Sequence, residues 1–401
     1  MQTRKIPTLF ADKKDCCGCW ACVNACPHQA ISMREDQYGF LYPQIDDSQC
    51  VGCCLCKNVC NYQSGEVQNS PIETFAAIGK DTKLTRKSTS GGIFASIAKQ
   101  FIDNGGFVCG ACFDEQWNLN HEIVSNIEYL PKLQGSKYLQ SNIGSCYNEI
   151  KKLLVDGKNV LFSGTPCQVD GLYGFLRKKY ENLTTIDIVC HGVPNNQMFH
   201  DYLHYLEKKH NGSITSFVFR DKDLGWGCHG RVTFDTPKGK IEKKQWESST
   251  SYIYYFRGGW IYRENCYYCK YACQHRPADI TLGDFWGIEK VHPEYLGRGG
   301  WNEEEGVSLV LVNTSKGKYI IKNYSNVLDL RPSTYGKASA RNGNLKHPTK
   351  KPVDRNVVLD AYSLGGWDKI EYLFKGVGWK RYITQIKMLL PKGLKRYLKR
   401  F

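Results

Sequence analysis

CCGCWACVNACP, residues 16–27, and CVGCCLCKNVC, residues 50–60, are two copies of one pattern. Sliding the first by 34 positions superposes Cys16 on Cys50, Cys19 on Cys53, Cys22 on Cys56 and Cys26 on Cys60, together with Gly18 on Gly52 and Asn24 on Asn58. Three cysteines at steps of three wrap a loop around one 4Fe-4S cubane. The fourth, on the following turn, reaches the other cubane, so two copies close two clusters reciprocally. The spacing predicts Cys16, Cys19, Cys22 and Cys60 as ligands of one cluster, and Cys50, Cys53, Cys56 and Cys26 as ligands of the other. Structural zinc is the competing reading, but its signature is two CxxC pairs per ion, and eight equally phased thiolates followed by Pro27 disfavour it. The second copy has Asn61 where a proline is usual. Cys17 and Cys54 fall outside the pattern and read as small buried hydrophobes.

Ten of the 19 cysteines of the 401-residue chain lie in this stretch. With 41% hydrophobic and 23% charged residues the composition is that of an ordinary globular protein, one large or two to three modest domains. Residues 1–10 carry no apolar signal core, and no stretch is long enough to cross a bilayer. A cytoplasmic location follows as the expectation, where thiols serve metal or redox chemistry rather than disulfides. The formal net charge of +15 invites a nucleic-acid reading, which depends on where the charge sits.

Between the two motifs, residues 31–33 and 40–42 flank a turn-like Asp36-Gln37-Tyr38-Gly39, a short hairpin. The polar stretch 64–71 is the first boundary. Beyond it, residues 86–110 read as a loop, a Ser90-Gly91-Gly92 helix entry, an amphipathic helix with Ile93, Phe94, Ile97, Phe101 and Ile102 inward, and a strand after Gly105-Gly106. Then comes βαβ spacing: strand 159–162, loop Ser163-Gly164-Thr165-Pro166, helix 167–180 and strand 184–189. Each strand is followed by a loop bearing one cysteine, Cys167 and Cys190, and loops after parallel strands share the carboxyl edge of the sheet. A last cysteine cluster spans residues 266–287.

SGG (90–92), SKY (136–138), GTPCQ (164–168), CHGVP (190–194), CYYC (266–269) and ADITLGDFWG (278–287) occur in that order. Together they resemble the coenzyme F420 hydrogenase/dehydrogenase beta-subunit family, in particular a bacterial branch with a fused two-cluster domain and an association with polysaccharide biosynthesis. The resemblance runs over about residues 12–365. It implies FAD flanked by a further 4Fe-4S cluster, so three clusters in all. Ser90, Gly91 and Gly92 at a helix start can present backbone N–H groups to a pyrophosphate, although a Gly-Gly is more often a turn or cap. Gly164, Thr165 and Pro166 are a second place where backbone could approach the flavin. Ser136 and Lys137 carry over from the SKY motif; Lys137 would sit near the isoalloxazine and favour the anionic reduced flavin, or else is a solvated surface lysine.

For the third cluster the sheet-edge argument and the CxxC pair nominate Cys167, Cys190, Cys266 and Cys269. Cys273 is the runner-up, and zinc remains the alternative metal. The other cysteines, Cys109, Cys112, Cys146 and Cys228 among them, read as inert core thiols. His191 and Asp284 are candidate proton carriers, against a cluster hydrogen bond for the one and a turn role for the other.

From residue 379 onward apolar and basic residues alternate at helical spacing, as in a helix lying on an anionic membrane surface or one docked on the protein's own core. Residues 366–401 hold ten Lys or Arg against Asp368 and Glu371, which is +8 of the +15. The remaining +7 is offset by three clusters of about −2 each with their thiolates, and the nucleic-acid reading lapses.

The sequence thus predicts an α+β ferredoxin-like two-cluster domain (1–66), then a larger mixed α/β flavin domain with a flavin-binding first part (67–150) and a part holding the third cluster (151–365), then a basic amphipathic tail (366–401). The expected function is an iron–sulfur flavin-dependent oxidoreductase. A ferredoxin or a reduced flavin or deazaflavin would be the redox partner. The substrate is a small molecule, a sugar or lipid-linked sugar, or the deazaflavin, with peripheral contact to the inner face of the membrane through residues 379–401. A non-catalytic electron-transfer subunit and a scaffold with structural clusters are the alternatives.

Overall fold

The computed structural model describes residues 5–66 and 69–378. Strands β1 (Ile31–Glu35) and β2 (Leu41–Ile45) form the expected hairpin, antiparallel with Ile31 opposite Ile45. The cysteine motifs flank it, and their repeat persists in the backbone. Gly18 and Gly52 both have positive φ, at 66° and 74°, and so do the equivalent Trp20 and Cys54, at 67° and 60°. Left-handed backbone at a tryptophan and a cysteine is uncommon, and here it bends each loop at the same step of the repeat.

The larger part is built on one mixed eight-stranded sheet. Its strands are β3 (Glu73–Gly79), β4 (Phe107–Phe113), β5 (Leu119–Val124), β6 (Val160–Gly164) and β7 (Leu183–Ile188). After a separate antiparallel sheet of β8 (Ser213–Val218), β9 (Gly230–Thr236) and β10 (Gly239–Gln245), the chain adds β11 (Ile280–Asp284), β12 (Ser308–Val312) and β13 (Leu328–Pro332). The order is β13-β3-β12-β11-β7-β6-β4-β5. The four central strands β4, β6, β7 and β11 run parallel, and the flanks are antiparallel. Residues 67–150 and 151–365 therefore share one sheet, since β3 pairs with β12 and β13 from the far end of the chain.

Side-chain alternation distributes the helices over the two faces. Helix α1 (Ile93–Asp103) packs Ile93, Ile97 and Phe101 with Leu161, while α2 (Cys146–Val155) and α3 (Pro166–Leu176) pack on the other face with Val160 and Phe162. Helix α3 ends where Arg177 turns left-handed, four residues short of the expected span. A third cluster joins Phe40 and Tyr42 of the hairpin to helix α4 (Asn196–His210) and helix α5 (Arg355–Gly376).

Helix α5 is broken at Gly365 and Gly366, where φ of Gly366 is +56°, and it docks beyond the break through Trp367, Ile370 and Phe374. The start of the expected tail is therefore core. The basic amphipathic stretch 379–401 lies outside the described residues. Among the described residues no helix is long and apolar enough to cross a membrane.

Trp367 is 2% exposed, its ring centroid 5.3 Å from that of Tyr202 and its Nε1 donating to Ser251 Oγ. Trp367→Ala should lower stability by about 3–5 kcal/mol in denaturant unfolding. Leu364→Ala, at a side chain 85% exposed, should change it by less than about 0.5 kcal/mol.

Candidate functional site

Strands β6, β7 and β11 point their carboxyl ends the same way, and the residues just past those ends are Cys167, Cys190 and Asp284's neighbours in the GDFWG stretch. Gly91 O accepts from Gly79 N at the end of β3, which brings Ser90-Gly91-Gly92 to this edge too. The edge carries two adjoining arrangements, one of thiols and one of cations and aromatics.

Cys167, Cys190, Cys266 and Cys269 are gathered together. The charge of Cys167 is felt at Cys190, Cys266 and Cys269, and those three act on one another in the same way. Burial first, then this mutual repulsion, pushes the Cys190 thiol up to about 12 and the Cys269 thiol up to about 11. Cys273 is turned away, its Sγ donating to Lys270 O and His275 O. In the first motif Cys16, Cys19, Cys22 and Cys60 line one apolar cavity with Phe10, Met33 and Tyr62. Cys22 is raised by burial and then by Cys19, Cys16 and Cys60. In the second, Cys56 faces Cys26 and Cys50, while Cys53 lies on the exposed rim. Cys54 is exposed as well, with its Sγ 3.5 Å from Gly52 O, so it is not the buried hydrophobe expected. The left-handed turn at that step holds it on the surface.

Every cysteine is a free thiol. Among the described residues no three His, Cys, Asp or Glu converge as they would on a single metal ion. Desolvated thiols that repel one another, gathered without converging, fit a bulky cationic iron core better than zinc.

Two buried arginines hold the thiol sets in place. Arg263 donates from Nε to Cys16 O at 3.0 Å and from one terminal nitrogen to Leu41 O at 2.6 Å, while Cys266 N donates to Arg263 O. Arg276 pairs with Asp187 of β7 at 2.9 Å and donates to Tyr271 O and Ile188 O, which fixes the loop of Cys266 and Cys269 against the strand that leads to Cys190. Neither arginine stands out in the sequence, since each sits in a loop with no periodicity.

The second arrangement surrounds Ser90. Lys222 donates to Ser90 O at 2.7 Å and Thr85 O at 2.6 Å, and burial lowers its pKa to about 8. Ser90 Oγ is buried with no partner. Gly306, at φ +84°, has room for no side chain: a Cβ would lie 3.0 Å from Trp226 and 3.1 Å from Ser90 Cα. Trp226 stacks on Trp286 at 4.7 Å, and Arg220 lies over Trp286 while pairing with Asp284. An orphaned hydroxyl, a cation and a side-chain-free cradle beside flat rings fit a dinucleotide's pyrophosphate and ring system.

Several predicted residues have other work. Gly91 is imposed by packing, because a Cβ there would strike Ala77 O and Ser308. Gly92, at φ +79°, caps α1 against Thr85. Ser136 bonds to Thr89, so the SKY loop does reach the SGG turn. Lys137 folds back to donate to Lys132 O and Gln134 O, and burial brings its pKa to about 8. Gly164, Thr165 and Pro166 serve the thiol set: Thr165 caps α3 with Gln168 and its Oγ1 is 3.1 Å from Cys167 Sγ.

His191 and Asp284 come together. His191 is open to solvent on one side yet hemmed in by protein, and this desolvation, then Arg257, lowers its pKa against the pull of Asp284. Asp284 accepts from Arg220 and from Trp226 Nε1 at 2.8 Å, so its carboxylate is engaged on both oxygens.

Site and fold define an iron–sulfur protein in which a two-motif cysteine domain docks on the carboxyl edge of a mixed sheet. Residues 15–64 match the family described as 4Fe-4S dicluster domain, and residues 157–334 match the family described as the C terminus of the coenzyme F420 hydrogenase/dehydrogenase beta subunit. The chain thus carries a beta-subunit-type C-terminal domain of that family fused to a dicluster domain. No curated protein matches it. Among solved structures, a chain of the F420-reducing nickel–iron hydrogenase complex from Methanosarcina barkeri is 15% identical, with a TM-score of 0.45 over 74% of this chain and 94% of that one.

His121 escaped the sequence reading. It is 5% exposed, its Nε2 3.0 Å from Ser163 O; a carbonyl only accepts, so Nε2 carries the proton and Nδ1, without a partner, stays bare. Burial holds its pKa down to about 4. The unfolded chain takes up this proton near 6.5 and the folded one near 4, so stability is lost as pH falls through that window. The histidine alone accounts for about 2 kcal/mol between pH 7 and pH 5. His121→Gln should lose correspondingly less than the wild type over that range in urea unfolding.

Proposed function

We propose that the protein is an iron–sulfur flavoprotein oxidoreductase. Three 4Fe-4S clusters are held by Cys16, Cys19, Cys22 and Cys60, by Cys50, Cys53, Cys56 and Cys26, and by Cys167, Cys190, Cys266 and Cys269, with FAD seated by Ser90 and Lys222. The observation that carries this reading is the gathering of the last four thiols at the sheet edge, against the first motif on one side and the Ser90 pocket on the other. The two domain matches support its general iron–sulfur and flavin character. When bound, the clusters supply one-electron steps and the flavin pairs two of them.

The chain's own residues do the rest. Arg263 and Arg276 place positive charge beside thiolates in a dry interior. Lys222 and the Ser90 hydroxyl bind the pyrophosphate. Asp284 holds Arg220 flat against Trp286, which closes one side of the pocket. His191, neutral at pH 7 with its lowered pKa, takes up or releases the substrate's proton at the open side. The substrate is an organic molecule, a sugar or lipid-linked sugar or else a deazaflavin, and a ferredoxin-like or flavin carrier exchanges electrons at the dicluster domain.

Anaerobically purified protein should hold about 12 iron atoms and one FAD per chain. Cys190→Ser should lose about four of those iron atoms, and Cys273→Ser none. About eight in the wild type would remove the third cluster. Full iron without flavin would make the protein an electron-transfer subunit rather than an enzyme.

A further inference from the structure

The small domain meets the large one sulfur to sulfur. Cys17 is 3% exposed and lies within hydrogen-bonding reach of both Cys19, in the first motif, and Cys167, in the third set, with its S–H as donor to each. One proton faces two acceptors, so it is shared or alternates between them. The approach is enforced from below. Cys19 rests on Gly171, one turn after Cys167 on α3, where a Cβ would lie 2.7 Å from Cys19 Cβ and 2.8 Å from its Sγ. From the side, Gln140 donates to Cys17 O at 2.9 Å and fixes the loop.

The internal repeat supplies an independent control. The position equivalent to Cys17 in the second motif is Val51, which is 48% exposed. The extra thiol is therefore present in the copy that faces the large domain, and a valine open to solvent stands in the copy that does not.

We propose that Cys17 is a positioning residue that couples the first cysteine motif to the third, its S–H bridging the ligands Cys19 and Cys167. This rests on the three-cluster reading above. A hydrogen bond to a ligand sulfur stabilises the more negative, reduced form of the group that sulfur holds and so raises its potential. The same sulfur places a polarisable atom between the two ligand sets. One electron passes from one set's group to the other's while the Cys17 S–H stays intact, so no bond forms or breaks and no proton is released. Dithionite serves as the external reductant in the test.

The test compares Cys17→Ala and Cys17→Ser in the full chain by iron content, EPR redox titration and freeze-quench EPR after addition of dithionite. Cys17→Ala should keep about 12 iron atoms, shift the midpoint potentials of the groups held by both sets downward, and slow arrival of the electron in the Cys167 set about tenfold. Cys17→Ser, which keeps a donor, should retain potentials close to the wild type and slow arrival about threefold. Wild-type potentials and arrival time in a fully loaded Cys17→Ala overturn the bridge. So does loss of about four iron atoms in both variants, since Cys17 is then itself a ligand. If Cys17→Ala alone loses iron, Cys17→Ser decides, and a wild-type arrival time there overturns the proposal. About eight iron atoms in the wild type would instead fell the three-cluster reading, and the bridge with it.

Discussion

The seam between the two halves of the molecule is organised by the buried guanidinium of Arg263. It is 0% exposed, lies 3.9 Å from the ring centroid of Tyr42, donates to the main chain of Cys16 and Leu41, and has a nitrogen 3.7 Å from Cys16 Sγ. Its own main chain bonds to Val193 and Cys266. A cation taken wholly out of water is strongly destabilising unless opposite charge is close by. No carboxylate forms an ion pair with it among the described residues, and the groups that act on it are Cys16, Tyr42, Cys17 and Cys266. The compensating charge must come from thiolates. The arginine and the thiols thus depend on each other, and the hairpin, the first motif and the Cys266 loop are held in register by one side chain.

Arg276 repeats the device one layer deeper, with Asp187 as its partner and both side chains all but sealed from solvent. Here the charge is balanced inside the protein, and the pair acts as a fixed strut between β7 and the Cys266–Cys269 loop. The difference matters electrostatically. Arg276 arrives nearly neutralised, whereas Arg263 brings uncompensated positive charge to the place where the thiol sets meet. The formal +15 of the chain is in this respect not only a surface property.

What was legible in the sequence follows from what each feature depends on. The two cysteine motifs were readable because ligand geometry is local: steps of three fix which thiols share a loop. Cys167 and Cys190 could be placed on one edge because a βαβ unit constrains where its loops emerge. The strand order could not be read, since β3 enters the sheet between strands more than two hundred residues away, and no local pattern encodes that pairing. Nor could Arg263, Arg276, Lys222 or His121 be singled out, because an isolated charged residue in a loop looks solvated until its neighbours are known. Gly91 and Thr165 show the reverse error. Each lies in a motif that suggests a ligand contact, and each is explained by backbone packing or helix capping.

The Cys190-His191 step shows how one loop can serve two kinds of chemistry. Cys190 points into the thiol set, shut off from water, where burial suppresses charge unless a metal core or a guanidinium compensates. His191, the next residue, stands at the rim beside Arg257 and Asp284, with solvent on one side. The turn between them is forced by Gly192, whose φ of +134° and contact with the Tyr262 ring leave no space for a side chain. Electron transfer works best in a rigid, dry surrounding that need not reorganise, whereas a proton needs a route to water. The loop meets both demands by placing the two groups on opposite sides of one backbone turn, and the carboxyl edge of the sheet is where those two sides are the protein's interior and its pocket.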